Sequence, residues 1–297
     1  MQINGNTRLI GFFGSTYKTS KMYAMYNAAI RALGLNYIYV PFAVDDLEKA
    51  VEGVRNLGIA AIGVTIPYKI PVIKYLDELD ENARRVGAVG VFINKDGKLI
   101  GGITDGQGAL RALKEKTEVK EKKITILGAG GAARAIAFSL SDEGGRLTIL
   151  NRTESKAQDL AYAVAQNTAY GTFDALAEQL EDSDIIINTT PVGMINTPQA
   201  GQSLVPEHLL KSNMTIMEIV SRPTETKLVQ DAKKKGCRIV YGDRMLLWQG
   251  VYKFKMYTGV EPPIEVMEEA MKKCQTEKAA PQTWPSPPQP QIGRAHV

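Results

Sequence analysis

The chain has 297 residues, of which 44% are hydrophobic and 23% are charged, and its formal net charge is +4 at pH 7. This length favours two domains, and the scattered charge is too small to indicate a nucleic-acid partner. With two histidines and two cysteines, serine–histidine hydrolysis, a metal site and a disulfide framework are not expected. No apolar run approaches the roughly 18 residues of a membrane span. Because Met1–Arg8 is also polar, we expect a cytoplasmic protein without a membrane partner.

The first hundred residues alternate short apolar runs with helical patterns. The predicted strands are Leu9–Phe13, Tyr37–Phe42 and Ile59–Ile66, and the predicted helices are Met22–Leu33 and Asp45–Leu57. Val89–Ile93 and Lys98–Gly101 are typical of a hairpin. Strands separated by helices of this length indicate βαβ units and a parallel sheet.

A second alternating series follows the charged stretch Lys114–Lys123. Its predicted strands are Ile124–Leu127, Leu147–Leu150, Ile185–Thr189, Thr215–Ile219 and Arg238–Tyr241. Helical patterns between them indicate a doubly wound sheet of Rossmann type, which binds ligands at the carboxyl ends of its strands. The predicted domains are residues 1–104, joined by C-terminal helices at 243–274, and residues 105–242. We expect the Pro- and Gln-rich tail, residues 275–297, to be disordered.

The segment from Ile124 to Arg134 predicts a dinucleotide-binding loop. A strand leads into a helix through Gly128, Ala129, Gly130, Gly131 and Ala132. Gly128 allows the tight turn, Gly130 lets the backbone approach a pyrophosphate, and the amides of the helix start face the phosphates. The strand–turn–helix context favours a cofactor site over a purely structural turn.

The end of the next strand favours NADP over NAD. About twenty residues after the Gly-rich turn, where an NAD enzyme carries Asp or Glu, stand Asn151, Arg152 and Thr153. An acid would repel a 2′-phosphate, whereas the Arg152 guanidinium can bind one, and Lys156 adds charge one turn later. The alternative is an ordinary exposed arginine.

Other cofactor contacts are expected at two further strand ends. The loop that contains Thr190, Val192 and Met194 leaves a predicted strand and should lie beside the ribose and nicotinamide. Gly242 follows the last predicted strand and is placed in the same site.

Two charged residues of the first half also follow predicted strands. Lys69 comes after Thr65-Ile66-Pro67, just before a predicted helix whose dipole would tune the lysine for catalysis. Asp105 begins Asp-Gly-Gln-Gly ahead of the helix Ala109–Lys114. The plainer interpretations are a solvated lysine and a helix N-cap.

The motifs of this chain occur in the order found in the shikimate dehydrogenase family, which the chain resembles from about Gly11 to Gly259. In order they are Thr-Ile-Pro-Tyr-Lys, Gly-Ala-Val, Thr-Asp-Gly-Gln-Gly, Gly-Ala-Gly-Gly-Ala-Ala-Arg, Asn-Arg-Thr, Asn-Thr-Thr-Pro-Val-Gly-Met and Met-Leu-Leu-Trp-Gln-Gly. The resemblance implies a two-domain α/β protein with an N-terminal substrate-binding and catalytic domain and a Rossmann-type NADP-binding domain. A cleft would separate them.

The resemblance also implies roles for individual residues. Lys69 matches the family's catalytic lysine and Asp105 its partner aspartate, which move a proton while a hydride passes between a ring carbon and NADP. Ser20, Thr65 and Gln249 match substrate-binding positions. The implied enzyme, a monomer or homodimer, interconverts shikimate, or a related cyclic hydroxy acid, and its ring ketone.

Five positions depart from the family's substrate pocket, where three asparagines, a serine and a tyrosine usually stand. They are Met22, Gly63, Gly90, Ile103 and Ser221. Each lost hydrogen bond to a charged group costs roughly 1.5–3 kcal/mol, so the usual binding of shikimate is not expected. Gly63 and Gly90 are expected to make room for a bulkier ring, or Lys18, Lys21 or Arg222 to supply a new anion contact. A quinate-type dehydrogenase with an altered substrate and a non-catalytic NADP-binding regulatory protein remain as alternatives.

Overall fold

The structure, a computed structural model, describes residues 3–14 and 21–276. The helices are α1 (Lys21–Ala32), α2 (Leu47–Asn56), α3 (Glu81–Val86), α4 (Asp105–Leu113), α5 (Gly131–Asp142), α6 (Glu154–Val164), α7 (Leu176–Leu180), α8 (Lys227–Lys234), α9 (Gly242–Thr258) and α10 (Ile264–Thr276). The strands are β1 (Arg8–Gly14), β2 (Tyr37–Ala43), β3 (Ala61–Val64), β4 (Glu78–Leu79), β5 (Val91–Lys95), β6 (Lys98–Gly102), β7 (Lys123–Leu127), β8 (Arg146–Leu150), β9 (Ala169–Gly171), β10 (Ile185–Asn188), β11 (Thr215–Glu218) and β12 (Arg238–Tyr241).

The first sheet has the strand order β2-β1-β3-β5-β6-β4. Strands β2, β1 and β3 are parallel, whereas β5 runs antiparallel to both β3 and β6. The predicted hairpin is therefore confirmed. Its two-residue turn places Asp96 and Gly97 at positive φ, as the twist of the flanking strands requires.

The second sheet is entirely parallel and has the order β12-β11-β10-β7-β8-β9. This is the strand order of a Rossmann fold, in which the chain reverses direction across the sheet beside the first strand, here β7. Helices cover both faces, so the strands are buried and read as continuous apolar runs. The predicted α/β fold class, an N-terminal α/β domain followed by a doubly wound sheet of Rossmann type, is confirmed.

Helix α4 follows the last strand of the first sheet and precedes the first strand of the second. Two glycines let it pack closely on its neighbouring helices. A Cβ atom on Gly106 would lie 2.1 Å from the backbone oxygen of Ala135 on α5. A Cβ atom on Gly108 would lie 2.7 Å from the backbone nitrogen of Gln249 on α9. The Asp-Gly-Gln-Gly segment therefore packs the start of α4 tightly between α5 and α9, and this packing holds the backbone of Asp105 in place.

The C-terminal helices return to the first sheet. Helix α10 packs against α1, and α9 packs against α4. Glu115, just after α4, accepts hydrogen bonds from Arg244 and from Trp248 Nε1 on α9, and Arg244 also pairs with Glu268 on α10. Helix α10 extends to Thr276, two residues into the predicted tail, and the rest of that tail lies outside the described residues.

None of the helices in the described ranges has the length and apolarity needed to cross a membrane. Within the same ranges, no group of three or more His, Cys, Asp or Glu residues is arranged to hold a metal ion.

Candidate functional site

A cavity of about 320 Å³ lies between the two sheets. The first sheet contributes the ends of β1 and β3, the second contributes the loop after β11, and α9 forms one wall. Its polar lining residues are Lys21, Thr65, Lys69, Asp105, Ser221, Arg222, Gln249 and Lys253. The cavity therefore lies at the carboxyl ends of the parallel strands, where ligands bind in such folds.

Lys69 and Asp105 form an ion pair in this cavity. Lys69 Nζ lies 2.9 Å from Asp105 Oδ1, and the side chain of Asp105 is only 7% exposed. The other oxygen, Asp105 Oδ2, is buried and has no hydrogen-bond donor among the residues described. A buried carboxylate with one unsatisfied oxygen is energetically costly, and a ligand hydroxyl can remove that cost.

The backbone around Lys69 fixes the lysine after β3. The Lys69 carbonyl accepts a hydrogen bond of 2.8 Å from the amide of Val89, in the segment before β5. The predicted helix after Lys69 is a single 3₁₀ helix, Pro71–Tyr75. The predicted helix is therefore a single short turn, and its dipole is small.

Asp105 is the first residue of α4, and Thr104 occupies the N-cap position. The alternative interpretation of Asp105 as the N-cap was therefore wrong. Burial raises the pKa of the Asp105 carboxyl, but the positive charges of Lys69 and Lys253 outweigh that effect, so the pKa lies below its usual value. Asp105 is therefore ionised at neutral pH and can accept hydrogen bonds.

Two of the three predicted substrate-binding residues line the cavity. Thr65 follows β3, and Gln249 lies on α9 with its Oε1 atom buried and without a donor in the described structure. Ser20 lies outside the described residues, as does Lys18. Gln249 Oε1 and Asp105 Oδ2 thus present two buried acceptors to the same cavity.

The expectation that Gly63 and Gly90 make room for a bulkier ring was wrong. A Cβ atom on Gly63 would lie 2.9 Å from the hydroxyl of Tyr257 and 3.1 Å from that of Tyr39. A Cβ atom on Gly90 would lie 3.1 Å from Asp105 Oδ2 and 3.6 Å from Lys253 Nζ. The space beside both glycines is therefore filled by side chains from other elements.

The cations proposed as new anion contacts differ in their surroundings. Lys21 Nζ is 2.5 and 2.6 Å from the two carboxylate oxygens of Asp243, so its charge is largely balanced. Arg222 is exposed in the loop after β11. Both line the cavity, together with Met22 and Ser221, whereas Ile103 is buried in the core.

Sequence reasoning missed Lys253, a third lysine of the cavity. It lies one turn after Gln249 on α9 and is only 3% exposed. Burial lowers the pKa of the Lys253 ammonium to about 8, although the carboxylate of Asp105 acts in the opposite direction. The spacing of four residues from Gln249, which places both side chains on one helix face, is the signal that would have found it.

The predicted dinucleotide loop connects β7 to α5. Gly128 has φ of +107°, and a Cβ atom there would lie 2.6 Å from Thr189 Oγ1, so this turn requires glycine. Gly130 and Gly131, with Ala129 and Ala132 beside them, are open: a Cβ atom on either glycine would meet nothing within 4 Å. A pyrophosphate can therefore approach this backbone and the free amides of α5.

The predicted 2′-phosphate residues lie at the neighbouring strand end. Strand β8 pairs with β7, so the loop after β8 is adjacent to the dinucleotide loop. Asn151 Nδ2 donates to the carbonyl of Thr153 at 2.9 Å and holds this loop in shape. Arg152, Thr153 and Lys156 are exposed there, which leaves two cations accessible to a phosphate.

The loop after β10 lies on the other side of Gly128. Thr190 is held by hydrogen bonds to Asn188 Oδ1, and the Val192 amide donates to Thr190 Oγ1. Met194 is 37% exposed in the same loop. Gly242 is buried, and a Cβ atom on it would lie 2.6 Å from the carbonyl oxygen of Ile219.

A buried carboxylate supports the loops after β10 and β11. Both oxygens of Glu218 accept hydrogen bonds of 3.0 Å from Asn188 Nδ2, and the amide of Val220 and the hydroxyl of Thr226 donate as well. Burial raises the pKa of Glu218 to about 7, because desolvation outweighs these hydrogen bonds.

Comparison with known proteins identifies the family. The chain matches three family models, "shikimate dehydrogenase substrate binding domain" over residues 12–92, "shikimate / quinate 5-dehydrogenase" over 111–200 and "shikimate 5'-dehydrogenase C-terminal domain" over 244–272. The chain is 42% identical over 260 residues to the shikimate dehydrogenase (NADP(+)) of Pyrococcus abyssi, covering 88% of this chain and 96% of that protein. The chain belongs to the shikimate dehydrogenase family. The predicted resemblance is thereby confirmed.

Solved structures of the family share the fold. A shikimate dehydrogenase in complex with NADP+ has a TM-score of 0.87 at 41% identity, covering 93% of this chain and 98% of that chain. The shikimate 5-dehydrogenase of Listeria monocytogenes, in complex with shikimate and NAD, has a TM-score of 0.84 at 35% identity, covering 91% and 98%. The family membership therefore extends over nearly all of the described chain.

Proposed function

We propose that the protein catalyses the reversible, NADP-dependent interconversion of a ring hydroxyl and a ring ketone on shikimate or a related cyclic hydroxy acid. One observation carries this proposal: the ion pair between Lys69 and Asp105 lies in the cavity, and Asp105 Oδ2 has no donor among the described residues. The relatives named shikimate dehydrogenase support the same activity.

The pair provides proton transfer and positioning. Asp105 holds Lys69 through Oδ1 and accepts the substrate hydroxyl through Oδ2. In the reducing direction the Lys69 ammonium donates a proton to the ketone oxygen, and in the oxidising direction the amine takes the hydroxyl proton back. Because both groups are fixed by backbone and packing contacts, the reacting oxygen is held in one place.

NADP fits the second sheet. The open backbone at Gly130 and Gly131 suits the pyrophosphate, and Arg152 with Lys156 suits a 2′-phosphate. We assign the remaining cofactor contacts to the predicted residues, namely Gly128, Ala129, Ala132, Asn151, Thr153, Thr190, Val192, Met194 and Gly242. The cofactor, when bound, would supply the redox chemistry, with NADP+ as hydride acceptor from the carbinol carbon and NADPH as hydride donor to the ketone.

The proposal divides the chain as the sequence predicts. Residues 1–104, with the C-terminal helices, would bind the substrate through Ser20, Thr65 and Gln249, and residues 105–242 would bind NADP. A cytoplasmic location and a monomeric or homodimeric state remain predictions.

The experiment is a reduction assay that follows NADPH absorbance. The purified protein is given NADP or NAD with shikimate, quinate and related ring acids, and Lys69→Ala is compared with Lys74→Ala. Lys74 is exposed in the 3₁₀ helix that follows, so its loss should leave turnover unchanged. We expect Lys69→Ala to lose about 10²-fold to 10⁴-fold in kcat.

Two outcomes would contradict the proposal. Tight NADPH binding without turnover of any ring alcohol would favour the non-catalytic regulatory alternative. Equal turnover in Lys69→Ala and the wild type would show that Lys69 is not the proton donor. Turnover of quinate alone would retain the mechanism and select the quinate-type alternative.

A further inference from the structure

Lys253 is a buried cation of the cavity that the proposed proton transfer does not use. It projects from α9 between Gln249 and Tyr257, which lie one turn before and one turn after it. Its side chain lines the cavity although the residue is 3% exposed. A lysine is rarely buried unless it is paired, so this position needs an explanation.

Lys253 Nζ forms no hydrogen bond or ion pair with any residue in the described ranges. The nearby carboxylate, Asp105, accepts a hydrogen bond from Lys69 through its Oδ1 atom instead. The side chain of Lys253 is buried and its ammonium faces the cavity, where it has lost much of its hydration and where a ligand oxygen can bind its unused donors. The lowered pKa of Lys253, to about 8, reports the same loss of hydration.

The positions of Asp105 and Lys253 relative to Gly90 define what Lys253 can reach. Asp105 Oδ2 and Lys253 Nζ lie 3.1 and 3.6 Å from the same point, where a Cβ atom on Gly90 would be. Gly90 places no side chain between Asp105 and Lys253. Lys253 Nζ is therefore the next polar group beside Asp105 Oδ2, the atom that would hold the reacting hydroxyl. A ring held by Asp105 through one hydroxyl therefore brings its neighbouring ring oxygen towards Lys253.

We propose that Lys253 is a specificity-determining residue whose ammonium binds the substrate oxygen on the ring carbon next to the carbon that reacts. This inference rests on the proposed function, because it takes Lys69 and Asp105 as the reacting end of the site. Lys253 then selects cyclic acids that carry two adjacent ring oxygens over acids that carry one.

The test compares Lys253→Met with a matched control, Lys255→Met. Lys255 lies on the same helix but is exposed and pairs with Glu261 on the surface. Each protein is assayed with NADP and two substrates: shikimate and an analogue that lacks the hydroxyl on the ring carbon next to the reacting one. Calorimetric titration with shikimate in the presence of NADPH measures binding independently of turnover.

For shikimate we expect Lys253→Met to raise KM and the dissociation constant about 10-fold to 100-fold, the loss of one hydrogen bond to a charged group. With the analogue, wild type and Lys253→Met should have similar KM values. Lys255→Met should match the wild type throughout, and NADPH should bind all three proteins equally.

Three results would overturn the inference. One is an equal rise in KM for both substrates, which would indicate a general change in the cavity. Another is a fall in kcat at unchanged KM, which would assign Lys253 to proton transfer. The third is unchanged shikimate binding in Lys253→Met. If the wild type bound shikimate but turned over no ring acid, the proposed function would fail, and a loss of shikimate binding in Lys253→Met would then show a ligand contact without the substrate specificity assigned here.

Discussion

Replacing Lys253 with methionine should stabilise the folded protein at neutral pH even as it weakens substrate binding. The ammonium of Lys253 is buried and forms no hydrogen bond or ion pair with the residues that the structure describes. Methionine has a similar length and an apolar stem without the charge, so it should fill the same space at little packing cost.

The magnitude follows from the pKa of Lys253. Its folded-state pKa is about 8, against 10.5 for an unperturbed lysine, and about 1.36 kcal/mol per pKa unit makes this difference worth about 3 kcal/mol. Because the folded pKa is the lower one, the unfolded chain binds more protons between pH 8 and 10.5. Stability of the wild type therefore rises with pH in that window, and the penalty is fully present below pH 8.

The assay is urea denaturation of wild type, Lys253→Met and the Lys255→Met control between pH 7 and 10.5. Trp248, the tryptophan of the described region, is buried on the same helix and reports unfolding by fluorescence. Lys253→Met should exceed the wild type by about 3 kcal/mol at pH 7, and this advantage should vanish near pH 10.5. An advantage that does not change with pH, or a variant less stable than wild type at pH 7, would refute the reasoning.

Three further predictions concern other parts of the structure. Arg152→Ala should weaken NADPH binding about tenfold and leave NADH binding unchanged. Both affinities are measured by fluorescence titration, and an equal loss of affinity for the two nucleotides would show that Arg152 does not bind the 2′-phosphate. Gly108→Ala should lower the free energy of unfolding by about 1–3 kcal/mol, because its Cβ atom would press on the Gln249 backbone; an unchanged urea midpoint would contradict that packing. Glu218 has a raised pKa of about 7, so wild-type stability should fall between pH 4.5 and 7 as this carboxyl ionises. Glu218→Gln should remove that fall in a pH series of thermal melts, and an unaltered pH dependence would assign it elsewhere.

The long elements of the fold were predictable because each carries its own pattern. Strands such as β7 and β10 are buried on both faces and consist mainly of apolar residues, and the Gly-rich turn marks where β7 ends. Strands β4 and β9 were missed because two or three residues at a sheet edge show no periodicity. The rest of the first sheet followed from the hairpin and the βαβ spacing.

The candidate site was predictable only where function coincides with a motif. Lys69 and Asp105 both follow strands, but only the family resemblance predicted that they form a pair, and both line one cavity of the structure. Lys253 stands two residues before Lys255 among apolar and aromatic residues, and no motif marks it as part of a site. The space beside Gly63 is filled by Tyr39 and Tyr257, which are remote from it in the chain. No local sequence pattern predicts such a contact.

The tight packing of α4 limits which parts of the cavity can change by substitution. Asp105 is held by backbone contacts of Gly106 and Gly108, which tolerate almost no added atom. Other parts of the cavity wall are single side chains from separate elements, namely Met22 on α1, Ser221 after β11 and Lys253 on α9. Under the proposed function, substitutions in that wall would exchange one ring acid for another and leave the geometry of Lys69 and Asp105 intact. We therefore expect the proton-transfer geometry to depend on the backbone of α4, whereas the choice of substrate would change with single side chains.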